Sequence, residues 1–308
     1  MEKILNIAQQ LSLHSRERPD HLAMISPEGT LTYGELEQES NQCALGLTQV
    51  GIRKGELVVL MVKPGRNFLI LTFGLIKMGA TLVFIDPGIG WRNLGRCLEE
   101  AEPQVFIGIP LAQAARVIMR WGSKTVRLAV TVGAPQLFPG PSFKKVMQLG
   151  SKREQLSLIP LGLDEPAAII FTSGSTGVPK GVVYTHRMFS SQVALLREHF
   201  EIGLDEIDLA TFPLFGLFDP SWKATTVFPN MDFSRPGRVD PRQIIDSIEK
   251  HKVTHLFGSP ALLDRVARYG KKHSIKLPSL RRVLSAGAPV QAIVLERFSE
   301  MLSSEADI

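Results

Sequence analysis

The chain has 308 residues, 44% of them hydrophobic and 21% charged, which is enough for one large folded domain or two ordinary ones and excludes a disordered or fibrous chain. Its formal net charge is +5, but the basic residues are dispersed and lack interleaved aromatic residues, so no nucleic-acid partner is expected. Two cysteines, Cys43 and Cys97, are too few for a disulfide framework or a metal cluster. Free thiols and the absence of a secretory signal pattern predict a cytoplasmic location.

Helices and apolar strands are predicted to alternate along most of the chain. In the first half, helices are predicted at 33–50, 66–78 and 91–101, and strands at 57–61, 81–85 and 104–109. In the second half, strands are predicted at 167–171, 254–257 and 282–285, and helices at 186–200, 242–252, 260–269 and from about 289. This alternation predicts an α/β fold with mainly parallel sheets covered by helices.

Residues 68–85 form an apolar stretch long enough to raise the question of a membrane span. Lys77 would lie near the centre of such a span, where a charge costs about 2.5–3.5 kcal/mol even on a lenient insertion scale. The stretch also divides at Gly79 into a helix and a strand, so no transmembrane segment is predicted.

Two segments show no sustained period. Residues 132–163 are rich in proline and glycine and are predicted to form a surface linker between two αβ halves, with a short helix at about 143–149. Residues 211–241 mix prolines with aromatic residues, which could fill a core or line an apolar pocket, and the sequence leaves both interpretations open.

A glycine- and hydroxyl-rich segment at 172–181, T-S-G-S-T-G-V-P-K-G, follows the apolar strand at 167–171 and precedes the helix at 186–200. Glycines allow backbone N–H groups to converge on an anion, hydroxyls donate further hydrogen bonds, and lysine adds positive charge. The segment is not a Walker A loop, because Lys180 is followed by Gly181 rather than by serine or threonine. An ordinary polar turn is the alternative, but four hydroxyls, three glycines and one lysine together favour phosphate binding.

This segment resembles the signature loop of the adenylate-forming superfamily, which includes acyl-CoA synthetases, adenylation domains of peptide synthetases and luciferases. Three further segments resemble family elements, namely L-T-Y-G-E-L at 31–36, L-I-K-M-G-A at 75–80 with F-I-D-P at 84–87, and S-A-G-A-P-V at 285–290. The resemblance extends from about residue 19 to 289. It implies an incomplete N-terminal AMP-binding domain over residues 1–308, with a subdomain of about 55–185 that carries the phosphate loop and one of about 186–308 that packs with about 1–54.

The resemblance also implies site residues for ATP and Mg²⁺. The residues expected around the β- and γ-phosphates are Thr172, Ser173, Gly174, Ser175, Thr176 and Gly177. Lys180 and Thr176 are the expected catalytic residues, and Thr176 is the expected Mg²⁺ ligand, because Mg²⁺ prefers oxygen. Gly287, Ala288 and Pro289 are expected against the adenine, the alternative being a strand-to-helix turn with Pro289 in the first turn of the helix.

Residues 212–220, F-P-L-F-G-L-F-D-P, lack the histidine that many acyl-CoA synthetases carry after P-L-F. Together with residues 231–236, they look more like the β-lactone synthetase branch, which adenylates a long-chain β-hydroxy acid and lets its own hydroxyl displace AMP. Phe215, Phe218 and Asp219 are then expected at the acyl pocket of a small-molecule acyl substrate. The alternatives are a long-chain fatty acid–CoA ligase, which would also use CoA, and a non-catalytic nucleotide-binding or interaction module.

The family continues beyond the adenine-side segment with Y-G-x-T-E, T-G-D and a small C-terminal domain that supplies a catalytic lysine. None of these patterns occurs in the 308 residues. We therefore expect that these residues alone, without the C-terminal part, catalyse poorly or not at all. No oligomeric state follows from the sequence.

Overall fold

The computed structural model describes residues 6–134, 137–151, 161–172 and 179–308, and of Thr172 the backbone only. The β-strands in these ranges are β1 (Leu22–Ser26), β2 (Gly29–Thr32), β3 (Leu57–Met61), β4 (Thr81–Phe84), β5 (Val105–Gly108), β6 (Leu128–Thr131), β7 (Pro166–Thr172), β8 (Lys180–Thr185), β9 (Ile207–Ala210), β10 (Thr225–Val227), β11 (His255–Phe257) and β12 (Arg282–Leu284). The α-helices are α1 (Ile7–Glu17), α2 (Tyr33–Gln49), α3 (Arg66–Lys77), α4 (Trp91–Ala101), α5 (Pro110–Ile118), α6 (Phe143–Gly150), α7 (His186–His199), α8 (Asp219–Trp222), α9 (Pro241–His251), α10 (Pro260–Lys272) and α11 (Ala292–Ser299).

The chain divides into two compact units, and each contains one six-stranded sheet. The first unit comprises Met1–Leu13, Gly34–Lys63 and Asn67–Gln192, and the second comprises His14–Tyr33, Pro64–Arg66 and Val193–Ile308. The subdomain bounds expected from the sequence, about 55–185 and about 186–308 with 1–54, stay a prediction.

The sheet of the first unit has the strand order β6-β5-β3-β4-β7-β8, and all neighbours are parallel except the antiparallel pair β7 and β8. Its inner strands β4 and β5 are covered on both faces, since every residue of these two strands is buried. This is the pattern of a parallel strand between two helical layers. Helix α4 covers one face, where Leu94 and Leu98 join Val59 and Phe106 in a common core.

The sheet of the second unit has the order β12-β11-β9-β10-β1-β2, again parallel except for one antiparallel pair, β1 and β2. Helices α9, α10 and α11 cover it through a core that includes Ile248, Val266 and Phe298, packed with Leu209 and Leu256 of the strands. The predicted fold class, α/β with mainly parallel sheets covered by helices, is confirmed in both units.

The predicted linker at 132–163 is wrong for its described part, which belongs to the first unit. The predicted short helix is present as α6 and crosses α2 at close range. A Cβ on Gly150 would lie 1.9 Å from the Gln42 carbonyl oxygen, and one on Gly46 would lie 2.0 Å from the Val146 carbonyl oxygen. Glycine at these two positions allows the two backbones to approach closely. The prolines and glycines on both sides of α6 are typical of a linker, and for that reason the sequence did not indicate this packing.

The apolar stretch at 68–85 forms helix α3 and strand β4, as predicted. Lys77 is buried, and its ammonium donates hydrogen bonds to Glu37 Oε2 at 2.6 Å, to Ser40 Oγ at 2.7 Å and to Asn41 Oδ1 at 2.7 Å. Among the described residues, no helix combines the length and the hydropathy that crossing a bilayer would require.

Candidate functional site

The phosphate-loop segment joins two antiparallel strands. β7 ends at Thr172 and β8 begins at Lys180, and these two residues are paired across the ladder. The sequence predicted a helix directly after the loop, whereas the strand β8 precedes α7. This strand gave no sequence signal because it is a sheet edge: Val182 and Val183 are both exposed, so its apolar residues show no alternation with polar ones.

Most of the predicted phosphate-binding residues lie outside the described residues. These are Ser173, Gly174, Ser175, Thr176 and Gly177, together with the side chain of Thr172, and their roles stay predictions. Lys180 is described and is exposed at the first position of β8. Because it lies directly opposite Thr172, its ammonium group is carried at the end of the hairpin from which the loop extends.

Gly181, the next residue, is fitted closely against β7. A Cβ at this position would lie 3.0 Å from Ile169 Cγ2 and 3.1 Å from Phe171 Cζ. Its N–H donates a long hydrogen bond of 3.4 Å to Glu100 Oε1 of α4. The last glycine of the motif therefore has a packing role at the base of the loop.

The predicted adenine-side segment follows β12 as an exposed turn. Gly287 has a φ of +91°, a conformation that residues with a side chain rarely adopt, and no atom lies within 4 Å of a Cβ built on it. The segment does connect a strand to a helix, but α11 begins only at Ala292, so Pro289 is not in its first turn. An open backbone surface at Gly287, Ala288 and Pro289 is compatible with a flat ring, and the adenine contact stays a prediction.

The second unit contains an apolar cavity of about 210 Å³. Its lining residues are Leu196, Phe200, Ile202, Asp208, Phe215, Trp222, His255, Phe257, Leu284, Ser285 and Ala286. The aromatic residues expected between 211 and 241 therefore do contribute to a pocket wall: the ring centroid of Phe215 lies 4.3 Å from that of Phe257.

Of the three residues predicted for the acyl pocket, Phe215 lines the cavity and the other two lie behind its wall. The Phe218 ring is 6.1 Å from Phe215 and 6.0 Å from Trp222, centroid to centroid, so it supports both lining rings. Asp219 is fully buried, and its Oδ2 accepts a hydrogen bond of 2.7 Å from Thr226 Oγ1.

Two polar lining residues, Asp208 and His255, were missed by the sequence analysis, which treated every histidine as structural. In the ladder, Asp208 of β9 is level with Thr226 of β10 and His255 of β11, and His255 is level with Arg282 of β12. Residues in register on parallel strands project from the same face, so these four form one polar row across the sheet. The sequence signal that could have identified these two residues was a single polar residue in each of two short apolar strands, I-D-L-A and H-L-F.

In the polar row, the pKa values of Asp208 and His255 are both shifted in favour of the uncharged form. Burial, and then the neighbouring Asp219, raise the pKa of Asp208 well above its ordinary value. Burial also raises the pKa of Asp219 to about 7, against the hydrogen bond from Thr226 that lowers it. Burial, assisted by Arg282, lowers the pKa of His255 to about 4. Burial therefore favours the uncharged forms of both titratable residues in the lining, and the Asp208 carboxyl is hydrogen-bonded to Asp219.

The described residues include no group of three or more His, Cys, Asp or Glu side chains placed to hold a metal ion. Thr176, the predicted Mg²⁺ ligand, lies outside the described residues, and its role stays a prediction.

Comparison with known proteins places these features in a family. The family model "AMP-binding enzyme" matches residues 11–307. The olefin beta-lactone synthetase of Xanthomonas campestris pv. campestris is 44% identical over 317 residues, which cover 99% of this chain and 56% of that protein. The olefin beta-lactone synthetase of Stenotrophomonas maltophilia is 43% identical over 318 residues, again 99% of this chain and 56% of the relative. The chain thus spans little more than half the length of these relatives.

The fold matches solved structures at lower identity. The anthranilate CoA ligase AuaEII, solved in complex with anthranoyl-AMP, superimposes with a TM-score of 0.85 at 20% identity, covering 98% of this chain and 59% of that one. At this identity the likeness establishes the fold, namely the N-terminal domain of adenylate-forming enzymes.

Proposed function

Because the chain belongs to the AMP-binding enzyme family, we propose that the protein activates a fatty or β-hydroxy acyl carboxylate with ATP, forming an acyl-adenylate and releasing pyrophosphate. The observation that carries this proposal is the 44% identity to an olefin beta-lactone synthetase across 99% of the chain. That relative's name also supports the second half of the proposal, in which the activated acid closes to a β-lactone.

The proposed reaction has two steps. A carboxylate oxygen attacks the α-phosphorus of ATP, a new P–O bond forms, and the bond to the β-phosphate oxygen breaks to release pyrophosphate. The β-hydroxyl oxygen then attacks the acyl carbon, AMP leaves with the electron pair of its bond, and the hydroxyl proton is lost as the four-membered ring closes. Negative charge accumulates in the first step, so cations and oriented donors are needed at the phosphates.

Lys180 is the described residue that best fits this need. It is exposed, and its place at the first position of β8 puts a positive charge beside the loop at 173–179. The hydroxyls and glycines of that loop, and Mg²⁺ on Thr176, complete the proposed phosphate site. Magnesium supplies positive charge on the phosphate oxygens when it is bound.

The cavity of the second unit is the proposed site for part of the acyl group. At about 210 Å³ it is smaller than the pockets of ~300–1,000 Å³ that hold whole drug-sized ligands. Its aromatic lining suits hydrocarbon, and Ser285 and Ala286 extend the lining to the residues just before the proposed adenine-side segment. An acyl chain in the cavity would thus place its carboxyl end towards that segment.

The test is acid-dependent ATP–pyrophosphate exchange by the complete gene product that contains these residues. Lys180→Ala and Gly174→Val are each expected to lower the exchange rate by about 100-fold or more, because a donor to the developing charge is lost or the loop backbone is blocked. Lys124→Ala removes another exposed lysine and is the control, with wild-type exchange expected. Exchange that persists in both loop variants would contradict the proposal.

Product analysis separates the proposed lactone-forming enzyme from a CoA ligase. A β-lactone made without CoA is the expected product, whereas acyl-CoA made only when CoA is present would assign the protein to the ligase class. Binding of ATP with no preference for an acyl-adenylate mimic would instead indicate a nucleotide-binding module.

A further inference from the structure

We propose that helix α5 and the turn that follows it form a docking surface for an anionic lipid bilayer, with apolar side chains that enter the bilayer and cationic side chains that contact its headgroups. This surface, the α5 face, consists of six exposed residues, Leu111, Val117, Ile118, Met119, Arg120 and Lys124. It lies in the first unit and contains none of the residues assigned to the proposed reaction.

The α5 face turns apolar side chains to water. Leu111 is 67% exposed and Ile118 is 77% exposed, and their spacing of two helical turns places both on one stripe of the helix. A polar residue of the same helix is on its inner side instead: Gln113 is buried, and its Nε2 donates a hydrogen bond of 3.0 Å to the Val130 carbonyl oxygen. An apolar face directed outwards marks an interaction surface.

An exposed tryptophan adjoins the end of α5. Trp91, the first residue of α4, is 54% exposed, and its ring stacks on that of Trp121 with the centroids 5.7 Å apart. Trp121 is buried in the core of the first unit and comes directly after Arg120 of the α5 face. The exposed ring of this pair therefore lies beside the α5 face. Tryptophan is enriched at membrane–water interfaces, because its ring is largely apolar and its N–H is polar.

The charge along this part of the chain has one sign. Residues 103–153 include eight lysines and arginines and no aspartate or glutamate, so the net positive charge of the chain originates in this stretch. Anionic headgroups attract a segment of this kind, and no acidic side chain within the stretch opposes the attraction. The charge therefore complements an anionic partner.

The α5 face presents the cations of this stretch that are available to a partner. Arg116 and Arg127 are engaged within the protein, the first by its hydrogen bond of 3.0 Å to Gln113 and the second by its ion pair with Glu56. Arg120 and Lys124 are exposed and make no ion pair with any described residue. The acidic residues of α4 at 99 and 100 are at the end of that helix away from Trp91.

A bilayer accounts for both kinds of side chain on the α5 face. A nucleic acid would pair with Arg120 and Lys124 but would leave Leu111 and Ile118 in water. A second copy packed on the same face would bring two sets of cations together, and like charges across an interface are unfavourable. Anionic headgroups above an apolar interior match cations that lie beside apolar side chains.

The test is cosedimentation of the complete gene product with phospholipid vesicles, without ATP or acid. One kind of vesicle contains phosphatidylcholine alone, and the other contains equal parts of phosphatidylcholine and phosphatidylglycerol. The partition coefficient is expected to be about tenfold or more higher for the anionic vesicles. It should fall towards the neutral-vesicle value when the salt concentration is raised from about 0.05 M to about 0.5 M, because salt screens exposed charges. Lipids brominated on their acyl chains should quench the fluorescence of Trp91, and Trp91→Phe should remove most of this quenching.

Two double variants test the two halves of the α5 face. Leu111→Gln/Ile118→Gln removes the apolar stripe but keeps residues that favour a helix, and Arg120→Gln/Lys124→Gln removes the two cations. Each is expected to lower the partition coefficient for anionic vesicles by about tenfold or more. The urea unfolding midpoint of each should stay near the wild-type value, because the substituted side chains are exposed.

Matched controls remove the same kinds of side chain elsewhere. Leu195→Gln/Leu204→Gln replaces two leucines that are also more than half exposed. Lys250→Gln/Lys272→Gln replaces two exposed lysines. Both controls are expected to bind anionic vesicles as tightly as the wild-type protein does.

Three results would overturn the proposal: no binding to either kind of vesicle, equal binding to both kinds, or equal losses in the α5-face variants and their controls. A dimer in sedimentation equilibrium that Leu111→Gln/Ile118→Gln dissociates, without vesicle binding, would assign the α5 face to a second copy and would also overturn it. The vesicle assay contains no acid and no nucleotide, so its result is independent of the acyl-adenylate proposal.

Discussion

Replacing both carboxyls of the buried pair, in an Asp208→Asn/Asp219→Asn double variant, should stabilise the protein at high pH and leave it almost unchanged at low pH. Asparagine has nearly the shape of a protonated aspartic acid, so the packing and the hydrogen bond from Thr226 can be kept. Ionisation of the pair, however, is possible only in the wild-type protein. The stabilities of the two proteins should therefore differ at every pH at which the wild-type aspartates are ionised in the unfolded chain.

The size of the expected difference in unfolding free energy can be derived from the pKa of Asp219. Its pKa is about 7 in the folded chain, against an ordinary value of 3.8, mainly because the group is fully buried. Since the folded-state value is the higher one, the folded chain binds the proton more tightly. The contribution of the protonated Asp219 carboxyl to the unfolding free energy is fully present below pH 3.8, and it is lost as the pH rises to about 7. At about 1.4 kcal/mol per pH unit, the whole loss is about 4 kcal/mol. This value is the contribution of Asp219 alone: Asp208, whose folded-state pKa is also raised well above its ordinary value, loses stability from the same pH upward, so the loss for the pair is at least about 4 kcal/mol.

The assay is urea unfolding of both proteins across pH 4 to 8, followed by a spectroscopic signal from the second unit such as the fluorescence of Trp222. The difference in unfolding free energy should grow from a small value at pH 4 to at least about 4 kcal/mol at pH 8 in favour of the variant. Titration of His255, which lies close by, is present in both proteins and cancels from this difference to first order. Parallel stability curves for the two proteins over this pH range would refute the reasoning.

Two further substitutions test the packing of the first unit by denaturant unfolding. Lys77→Met should cost about 3–5 kcal/mol, because it leaves the partly buried Glu37 carboxylate and the side chains of Ser40 and Asn41 without their ammonium donor. Its control, Lys54→Met, removes a salt bridge between side chains that are both 39% exposed and should cost less than about 1 kcal/mol. Gly150→Ala should cost about 1–3 kcal/mol or more, because its methyl group would overlap the Gln42 carbonyl. Gly203→Ala, with open space around it, should have almost no effect, and equal effects of the two alanine variants would contradict the helix-crossing argument.

Much of the fold was predictable because periodicity is a local property of the chain. The strand at 57–61 and the helix at 91–101 have the predicted bounds, and the other predicted elements that are described differ at their ends by a few residues. The elements that were missed have weak local signals. Strand β8 is an exposed edge, and β10 is three residues long.

The sequence by itself determined the family resemblance and the phosphate-loop motif, since these depend on residue order and spacing alone. Only the tertiary structure decided which polar side chains meet. Asp208, Thr226 and His255 are far apart in the chain and become neighbours because three parallel strands pair in one register. Register is set by long-range pairing of buried strands, and a shift of one residue would turn each of these side chains to the opposite face. The same holds for the crossing of α2 and α6. Glycine is required at positions 46 and 150 only because the backbone of the other helix lies against each of them.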